Sequence, residues 1–449
     1  MKFLLIVNLA FLLAVNLIKA QSNSWGKAQL TIDYSNPRVF YNDTVNGWFY
    51  VAGNVHSVNG KYANRIVCMN SNGYVDFMDT ASIFADPPVA IMSYKDSIYF
   101  AGFNGLYTYQ NNHWDPKLGG NHVFLELETY NDELLIGGLF KGATVPYDGA
   151  IISYDGNSFN QFNRIDTLFD VTESSILAME VYKNKLYIGG NFEGKYNEIF
   201  SWDGTNWDNM NGGIQGNSGF EVVNDIIEYK DYLYVVGTFS SDQGAMSNNI
   251  LKWDGDKWST LGKGIYGSFI SDAYVFNEEL WVVGYLDSAE NLPLSHLAIW
   301  NGDYWCRPEG DLQDHGTCLG EFNDSLYVGG IFNDIDGDTD LRKIAKYNSS
   351  SQYLCDSSTV GYAEISLNSS VIMDLYPNPS YGKVFFSFKE LQTKVRVELL
   401  EINGSILYSW IFLHTKQEEI DFSHYLDGIY IIRFYNGNNV YNVRVVKSY

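Results

Sequence analysis

Short apolar runs separated by polar turns fill most of this chain, and the runs repeat. Seven times an apolar stretch ends in glycine: Tyr50-Val51-Ala52-Gly53, Tyr99-Phe100-Ala101-Gly102, Leu135-Ile136-Gly137-Gly138, Tyr187-Ile188-Gly189-Gly190, Tyr234-Val235-Val236-Gly237, Trp281-Val282-Val283-Gly284 and Tyr327-Val328-Gly329-Gly330. The last glycines of successive copies stand 36 to 52 residues apart. The fifth copy shows the order of elements most clearly. Val222–Tyr229 reads as a first strand, Lys230-Asp231 as a turn, and 233–239 as a second strand. A loop over 240–247 leads to a third strand at 249–253, the turn Asp254-Gly255 and a fourth strand at 257–261. Four short strands in a period of roughly 40–50 residues predict a β-propeller with one blade per copy.

Turn residues refine this. Asn72-Gly73, Asp155-Gly156, Asp203-Gly204, Asp254-Gly255 and Asn301-Gly302 stand between apolar runs, which predicts two-residue hairpins with positive φ at both central positions. The second and seventh copies carry Asn111-Asn112 and Ser349-Ser350-Ser351 instead. Glycine weakens a strand unless another backbone approaches closely, so crowding of blades near a central axis is expected at the repeated glycines. The pairs Trp202/Trp207, Trp253/Trp258, Trp300/Trp305 and Tyr154/Phe159 also recur. Recurrence assigns them to packing between blades in preference to a sugar-stacking platform. The second copy passes almost directly from Gly102 to Gly105, without the loop found in other copies. Such variable loops share one rim, where a propeller places its function. Residues 25–34 offer a strand that would latch the ring onto the seventh blade, although that blade already has four candidate strands.

The period breaks at the Ser-rich segment 357–372, which reads as a linker. Beyond it, alternating runs at 384–388, 395–400, 406–410, 429–434 and 440–446, with Asn403-Gly404 and Asn436-Gly437 between them, predict a small β-sandwich. The expected fold class is thus all-β, a seven-bladed β-propeller over 21–356 followed by a β-sandwich over 373–449.

Composition adds the compartment. The 449 residues are rich in aromatics and poor in proline, as suits strands. The formal charge is -24, and residues 21–372 hold 45 of the 53 acidic but only 19 of the 29 basic residues. That surface repels phosphate backbones and anionic lipid, which argues against nucleic acid as a partner. Residues 1–20 start with Met1-Lys2, continue through apolar residues to Ile18 and end at Ala20, the pattern of a secretory signal peptide. The apolar stretch is broken by Asn8 and Asn16 and falls short of the roughly 20 residues that span a membrane. Cys68, Cys306, Cys318 and Cys355 allow three pairings in an exported chain. Cys306 and Cys318 bracket the join of blades six and seven and are the favoured pair.

Three resemblances follow from these residues. Leu326-Tyr327-Val328-Gly329-Gly330 with Ile344-Ala345-Lys346-Tyr347, and the copy Ile250-Leu251-Lys252-Trp253-Asp254-Gly255, resemble kelch-like propeller repeats of secreted bacterial proteins over about 36–356. That resemblance speaks to fold and leaves activity open. In the tail, Leu375-Tyr376-Pro377-Asn378-Pro379-Ser380 with Gly382 and Val384, then Val397-Glu398-Leu399-Leu400, Leu426-Asp427-Gly428-Ile429-Tyr430 and Arg444-Val445-Val446-Lys447 resemble the type A C-terminal sorting domain of the type IX secretion system. Ser448-Tyr449 depart from the usual terminal lysine. The resemblance implies a source among the Bacteroidota, the secretion machinery as a partner, removal of the tail, and surface attachment or release. Asp43-Thr44-Val45, Asp79-Thr80-Ala81, Asp96-Ser97-Ile98, Asp166-Thr167-Leu168, Asp287-Ser288-Ala289 and Asp324-Ser325-Leu326 resemble the O-glycosylation signal of that phylum. The same residue types also favour turns before strands.

Candidate chemistry is sparse. Asp334, Asp336, Asp338 and Asp340 alternate around Gly337 and offer oxygens to calcium, the one cofactor expectation. The twelfth-position Glu of a calcium loop is absent, and a solvated acidic loop is the alternative. No H-E-x-x-H, G-x-S-x-G or phosphate-binding glycine loop occurs. His56, His113, His122, His296 and His315 lie in different repeats without a shared position. The expected function is a secreted or surface-displayed propeller that binds a glycan or protein through its loop rim. The alternatives are a polysaccharide-acting enzyme with carboxylates at the channel mouth, which need only meet in space, and a structural or adhesive component.

Overall fold

The computed structural model describes residues 24–34, 36–78, 87–110, 113–119, 122–139, 151–162, 174–192, 198–214, 221–241, 247–290, 292–348, 353–355, 372–376, 380, 382–401, 406–426, 428–436 and 439–447. The signal segment 1–20, the linker 357–372 except its last residue, Asn111-Asn112, Ser349-Ser350-Ser351 and Asn403-Gly404 lie outside them. The chain divides into two compact units, Met1–Thr359 and Val360–Tyr449. Every described element is a strand apart from the single 3₁₀ turns Met210–Gly212 and Thr339–Leu341.

In the first unit seven antiparallel sheets of four or more strands follow one another, each with its first strand at one edge, and a small three-stranded sheet joins Ile32–Tyr34, Ser57–Val58 and Lys61–Tyr62. These first strands are Pro37–Asp43, Pro88–Tyr94, Val123–Tyr130, Ser175–Tyr182, Val222–Tyr229, Ile265–Phe276 and Gly316–Glu321. Each packs on the first strand of the next sheet, and Gly316–Glu321 packs back on Pro37–Asp43. The sheets therefore close into a ring, the β-propeller arrangement.

All seven first strands carry a bulge at the same place, at Arg38, Val89, Leu125, Leu177, Asn224, Ser271 and Thr317. A bulge adds one residue and sharpens the strand twist. It also explains the repeated glycines. A Cβ on Gly138, Gly190 or Gly237 would stand 2.0 Å from the carbonyl oxygen of Val123, Ser175 or Val222 on the bulged strand of its own sheet. The first glycine of the Gly-Gly copies has a different neighbour. A Cβ on Gly189 would stand 2.4 Å from Val223 Cγ1, and one on Gly329 2.6 Å from Pro37 Cγ, both in the next sheet. Crowding between blades accounts for the first glycine, and the bulge accounts for the second.

The turns also divide in two. Two-residue hairpins with positive φ at both positions occur at Lys95-Asp96, Asn131-Asp132, Lys183-Asn184, Lys230-Asp231 and Asn277-Glu278, between first and second strands. The Asp-Gly pairs do not form such hairpins. Trp202 pairs with Trp207, and Trp253 with Trp258, leaving four-residue loops in which only the glycine has positive φ. The Asp side chain holds the loop instead. Asp203 Oδ1 accepts from Thr205 and Asn206 N–H at 2.7 Å, and Asp254 Oδ1 from Asp256 and Lys257 at 2.8 Å.

In the recurring aromatic pairs the first ring is core, and Phe159, Trp207 and Trp258 pack half-buried against it. Trp202, Trp253, Trp300 and Trp305 are buried, and the Trp300 and Trp305 rings lie 5.1 Å apart. The ring is closed by Trp25–Lys27, which pairs with Ile344–Tyr347 as the outer strand of the seventh sheet. The spare candidate strand, Tyr353–Cys355, joins the sixth sheet beside Trp305–Pro308. This placement sets Cys355 opposite Cys306, and these two form the disulfide. The favoured Cys306–Cys318 pair is thereby overturned. Cys318 sits on an innermost strand and Cys306 on an outer one; Cys68 and Cys318 are buried free thiols.

In the second unit the runs predicted at 384–388 and 395–400 are one strand, Lys383–Glu401. Its start pairs with Ile372–Tyr376 and with the end of Ile406–Asp421. Its second half pairs with the beginning of Ile406–Asp421 and with Gly428–Asn436, which holds Asn439–Lys447. The register breaks between Ser387 and Gln392, so the strand passes from one layer to the other. Phe386 of the first layer lies 4.9 Å from Phe434 of the second, across a dry sandwich core.

Replacing Gly190 by Ala forces its Cβ onto a backbone oxygen and is expected to cost about 3 kcal/mol or more. Gly119→Ala, whose Cβ would meet nothing within 4 Å and whose φ is not positive, serves as the mild control. Urea denaturation of both variants measures the difference.

Candidate functional site

The seven first strands run the same way, so one rim collects the loops entering them and those joining second to third strands. A single position recurs on that rim, just before the part of the third strand that pairs with the repeated apolar run of the second. It holds Arg65, Glu198, Asn249, His296 and Lys343 in the first, fourth, fifth, sixth and seventh sheets. Four of these adopt positive φ: Arg65 81°, Asn249 61°, His296 68° and Lys343 64°. Non-glycine residues tolerate this only where surroundings enforce it. The backbone carbonyls of Arg65, His296 and Lys343 accept from the repeated Gly53, Gly284 and Gly330 N–H groups.

In four sheets the side chain at this position staples the loop that precedes it. Arg65 Nη1 donates to Asn54 Oδ1 (3.2 Å), Glu198 Oε2 accepts from Phe192 N–H (2.6 Å), Asn249 Oδ1 accepts from Phe239 N–H (3.1 Å), and Lys343 Nζ donates to the Ile331 carbonyl (2.6 Å). The sixth sheet breaks the rule. The His296 ring lies 5.0 Å from Tyr285, and its buried Nδ1 takes no hydrogen bond from any described residue. Around it stand residues that recur nowhere else at their positions. His315 is 5.9 Å from Tyr285 and edge-on to Phe269 at 5.3 Å. His315 Nδ1–H donates to Asp314 Oδ1 at 3.0 Å, which orients the ring and leaves Nε2 for another partner. Tyr285 is 40% exposed, and burial pushes the His296 pKa down, keeping that ring neutral. The sequence named both histidines without bringing them together, because 19 residues and a sheet boundary separate them.

The aspartate run lies in the loop of the seventh sheet and does not converge. Asp334 Oδ1 accepts from Gly337 N–H at 2.8 Å, and Asp336 Oδ1 from Asp311 N–H at 2.9 Å. Asp338 Oδ1 caps the 3₁₀ turn through Asp340 N–H at 2.9 Å, and Asp340 pairs with Lys27 at 2.5 Å. Among the described residues no group of three acidic, His or Cys side chains is placed to hold a metal ion.

A different acidic constellation does converge, at the inner seams. Asp225 Oδ2 and Asp272 Oδ1 both accept from the single Ala273 N–H at 2.9 Å. Asp272 Oδ2 also accepts from Leu319 N–H at 2.6 Å, so the pair ties the fifth, sixth and seventh sheets. The bulge residues beside them make parallel links: Asn224 Nδ2 donates to the Ile270 carbonyl, Ser271 Oγ to Gly316 and Thr317 Oγ1 to Pro37. Two carboxylates crowded onto one N–H disfavour each other's charged form. Burial, then the neighbouring carboxylate, raises the Asp225 pKa well above the usual range, and burial raises Asp272. Burial with Glu128 nearby raises Glu126 likewise. Burial with Glu128 and Glu228 nearby pushes Glu180 up to about 8, and burial pushes Glu198 to about 8. Asn-Asp and Ser-Asp at equivalent positions of consecutive repeats were the available signal in the sequence.

In the tail, the beginning and end of the recognised pattern meet. Ser380 forms a parallel bridge with Lys447, and a Cβ on Gly382 would stand 2.8 Å from Lys447 Cε. The fully buried Glu398 is paired with Arg396. Residues 374–448 match the family described as the secretion system C-terminal sorting domain. The tail is a sorting domain of this family. With it, the protein is one exported through the type IX secretion system to the cell surface or the extracellular space. No described helix is long and apolar enough to cross a membrane. No curated protein matches the chain. Among solved structures, a fungal alcohol oxidase in complex with copper aligns over 94% of this chain and 99% of that one, at 11% identity and a TM-score of 0.46. The extracellular domain of a putative hybrid two-component system from B. thetaiotaomicron aligns over 91% and 72%, at 10% identity and a TM-score of 0.31.

The seam carboxyls, and Glu198 on the rim, set a pH dependence. Each raised pKa lets the folded chain hold a proton that the unfolded chain loses near pH 4, so this stability is complete below that pH and is lost as pH rises through the folded pKa, toward about 8 for Glu180 and Glu198. The melting temperature is expected to fall by several degrees between pH 5 and 9. Asp225→Asn, whose amide donates to Asp272 without needing a proton, is expected to flatten the fall. For the aspartate run, the local partners predict no change in melting temperature on adding a chelator; a drop would show the loop rearranging around calcium.

Proposed function

We propose that this is a seven-bladed propeller, displayed or released by the type IX system, that binds an extracellular glycan or protein on its loop rim without turning it over. One observation carries the reading. Most of the distinctive side chains serve the seven-fold scaffold, whereas those that break the pattern without a scaffold role gather on the rim of the sixth and seventh sheets, around Tyr285, His296 and His315. Half-exposed aromatic and polar groups converging in one place are what a binding site requires.

The hydrolytic reading draws less support. Glycosidic cleavage uses two carboxyls about 5–9.5 Å apart across a substrate. Asp225 and Asp272 instead converge on one backbone N–H inside a seam. A screen of the full chain against glycans, polysaccharides and extracellular proteins, with product analysis, separates the readings. Binding without products is expected. Released oligosaccharides would replace the binding reading with the enzymatic one.

A further inference from the structure

The rim reading can be taken to a ligand class and a set of contacts. We propose that Tyr285, His296 and His315 form a subsite for a neutral sugar ring, with the Tyr285 face as platform and the two imidazoles as hydrogen-bond partners for its hydroxyls. The inference rests on the rim-binding reading and sharpens it.

Three independent observations support it. First, at the recurrent rim position four side chains spend their polar atoms on the loop base, and His296 does not. A buried polar atom left without a partner is costly, and where a fold tolerates one a ligand or solvent group is the usual reason. Second, Tyr285 is an exposed aromatic against which the His296 ring packs, so a sugar stacking on the outer part of the phenol brings its hydroxyls to the histidines. Sugars carry an apolar C–H face and a polar edge, which an aromatic plane beside donors and acceptors matches. Third, Asp314 holds His315 through Nδ1, so the ring is oriented and its Nε2 is left for a ligand. The class is neutral because the carboxylate that meets the cluster among the described residues, Asp314, is already engaged by His315, and the chain's charge of -24 repels anionic polysaccharides.

The test uses the full chain and affinity electrophoresis in gels containing soluble xylan, mannan or mixed-linkage β-glucan, with polygalacturonate as the anionic probe. Wild type is expected to be retarded by a neutral polymer and not by polygalacturonate. Tyr285→Ala and His315→Ala are each expected to weaken retardation roughly tenfold. Tyr285→Phe, which keeps the face, and Tyr62→Ala, an exposed aromatic on the rim loop of the first sheet, are expected to behave as wild type. Melting temperatures confirm that each variant folds; Tyr285→Phe against Tyr285→Ala keeps the comparison valid if the alanine variant is destabilised. Retardation that persists in both alanine variants overturns the subsite and leaves rim binding standing. Retardation by polygalacturonate alone overturns the neutral class. No retardation by any polymer overturns the subsite, and binding to an extracellular protein in the wider screen would then keep the rim reading on other grounds.

Discussion

The rest of the ring depends on one steric arrangement, the bulge in each innermost strand and the glycine opposite it. The bulge thrusts a carbonyl oxygen into the space where a Cβ would stand, 2.0 Å from that point in three of the sheets. Only glycine leaves the space open, so the same residue returns at the end of every second strand. The extra residue also turns the strand, which lets seven sheets fan around a common axis.

The bulge creates a second demand. An innermost strand has no partner on its axial side, and its polar backbone groups need company. Around half of the ring the neighbouring sheet supplies it. Asp225 and Asp272 accept backbone N–H groups of the next sheet, while Asn224, Ser271 and Thr317 donate to its carbonyls. These seams combine scaffold with electrostatic cost, since several carboxyls are held where their charged forms are disfavoured. Closure uses different means at the outer edge: a strand from before the first sheet completes the seventh, and a strand from after the seventh is pinned to the sixth by the Cys306–Cys355 disulfide.

Against so regular a scaffold, departures are informative. The staple residue at the recurrent rim position is Arg, Glu, Asn or Lys in four sheets, each bonded to its own loop. His296 takes the same backbone geometry and abandons the bond. A side chain released from a structural duty that its equivalents perform is free for another, and Tyr285 and His315 stand beside it. The aspartate run shows the converse. Its spacing suggests a cation site, and one oxygen of each carboxylate accepts a local amide or pairs with Lys27.

Much of this protein was legible in the order of its residues. The period of the apolar runs marked the sheets, the repeated glycines marked the second strands, and the tail carried enough of its pattern to be placed in a sorting family. These are demands made by sterics and by short-range pattern, so they leave a trace in adjacent residues. The Asp-Gly loops were misjudged as two-residue hairpins because Asp203 and Asp254 hold a longer loop through side-chain bonds that φ preferences alone do not reveal. The disulfide partner, the meeting of Asp225 and Asp272 on one N–H, and the meeting of His296 with His315 were decided only by the tertiary structure. Each joins residues from different strands or sheets, and which side chains face one another across a seam is set by the register and twist of whole sheets, which no local stretch of sequence encodes.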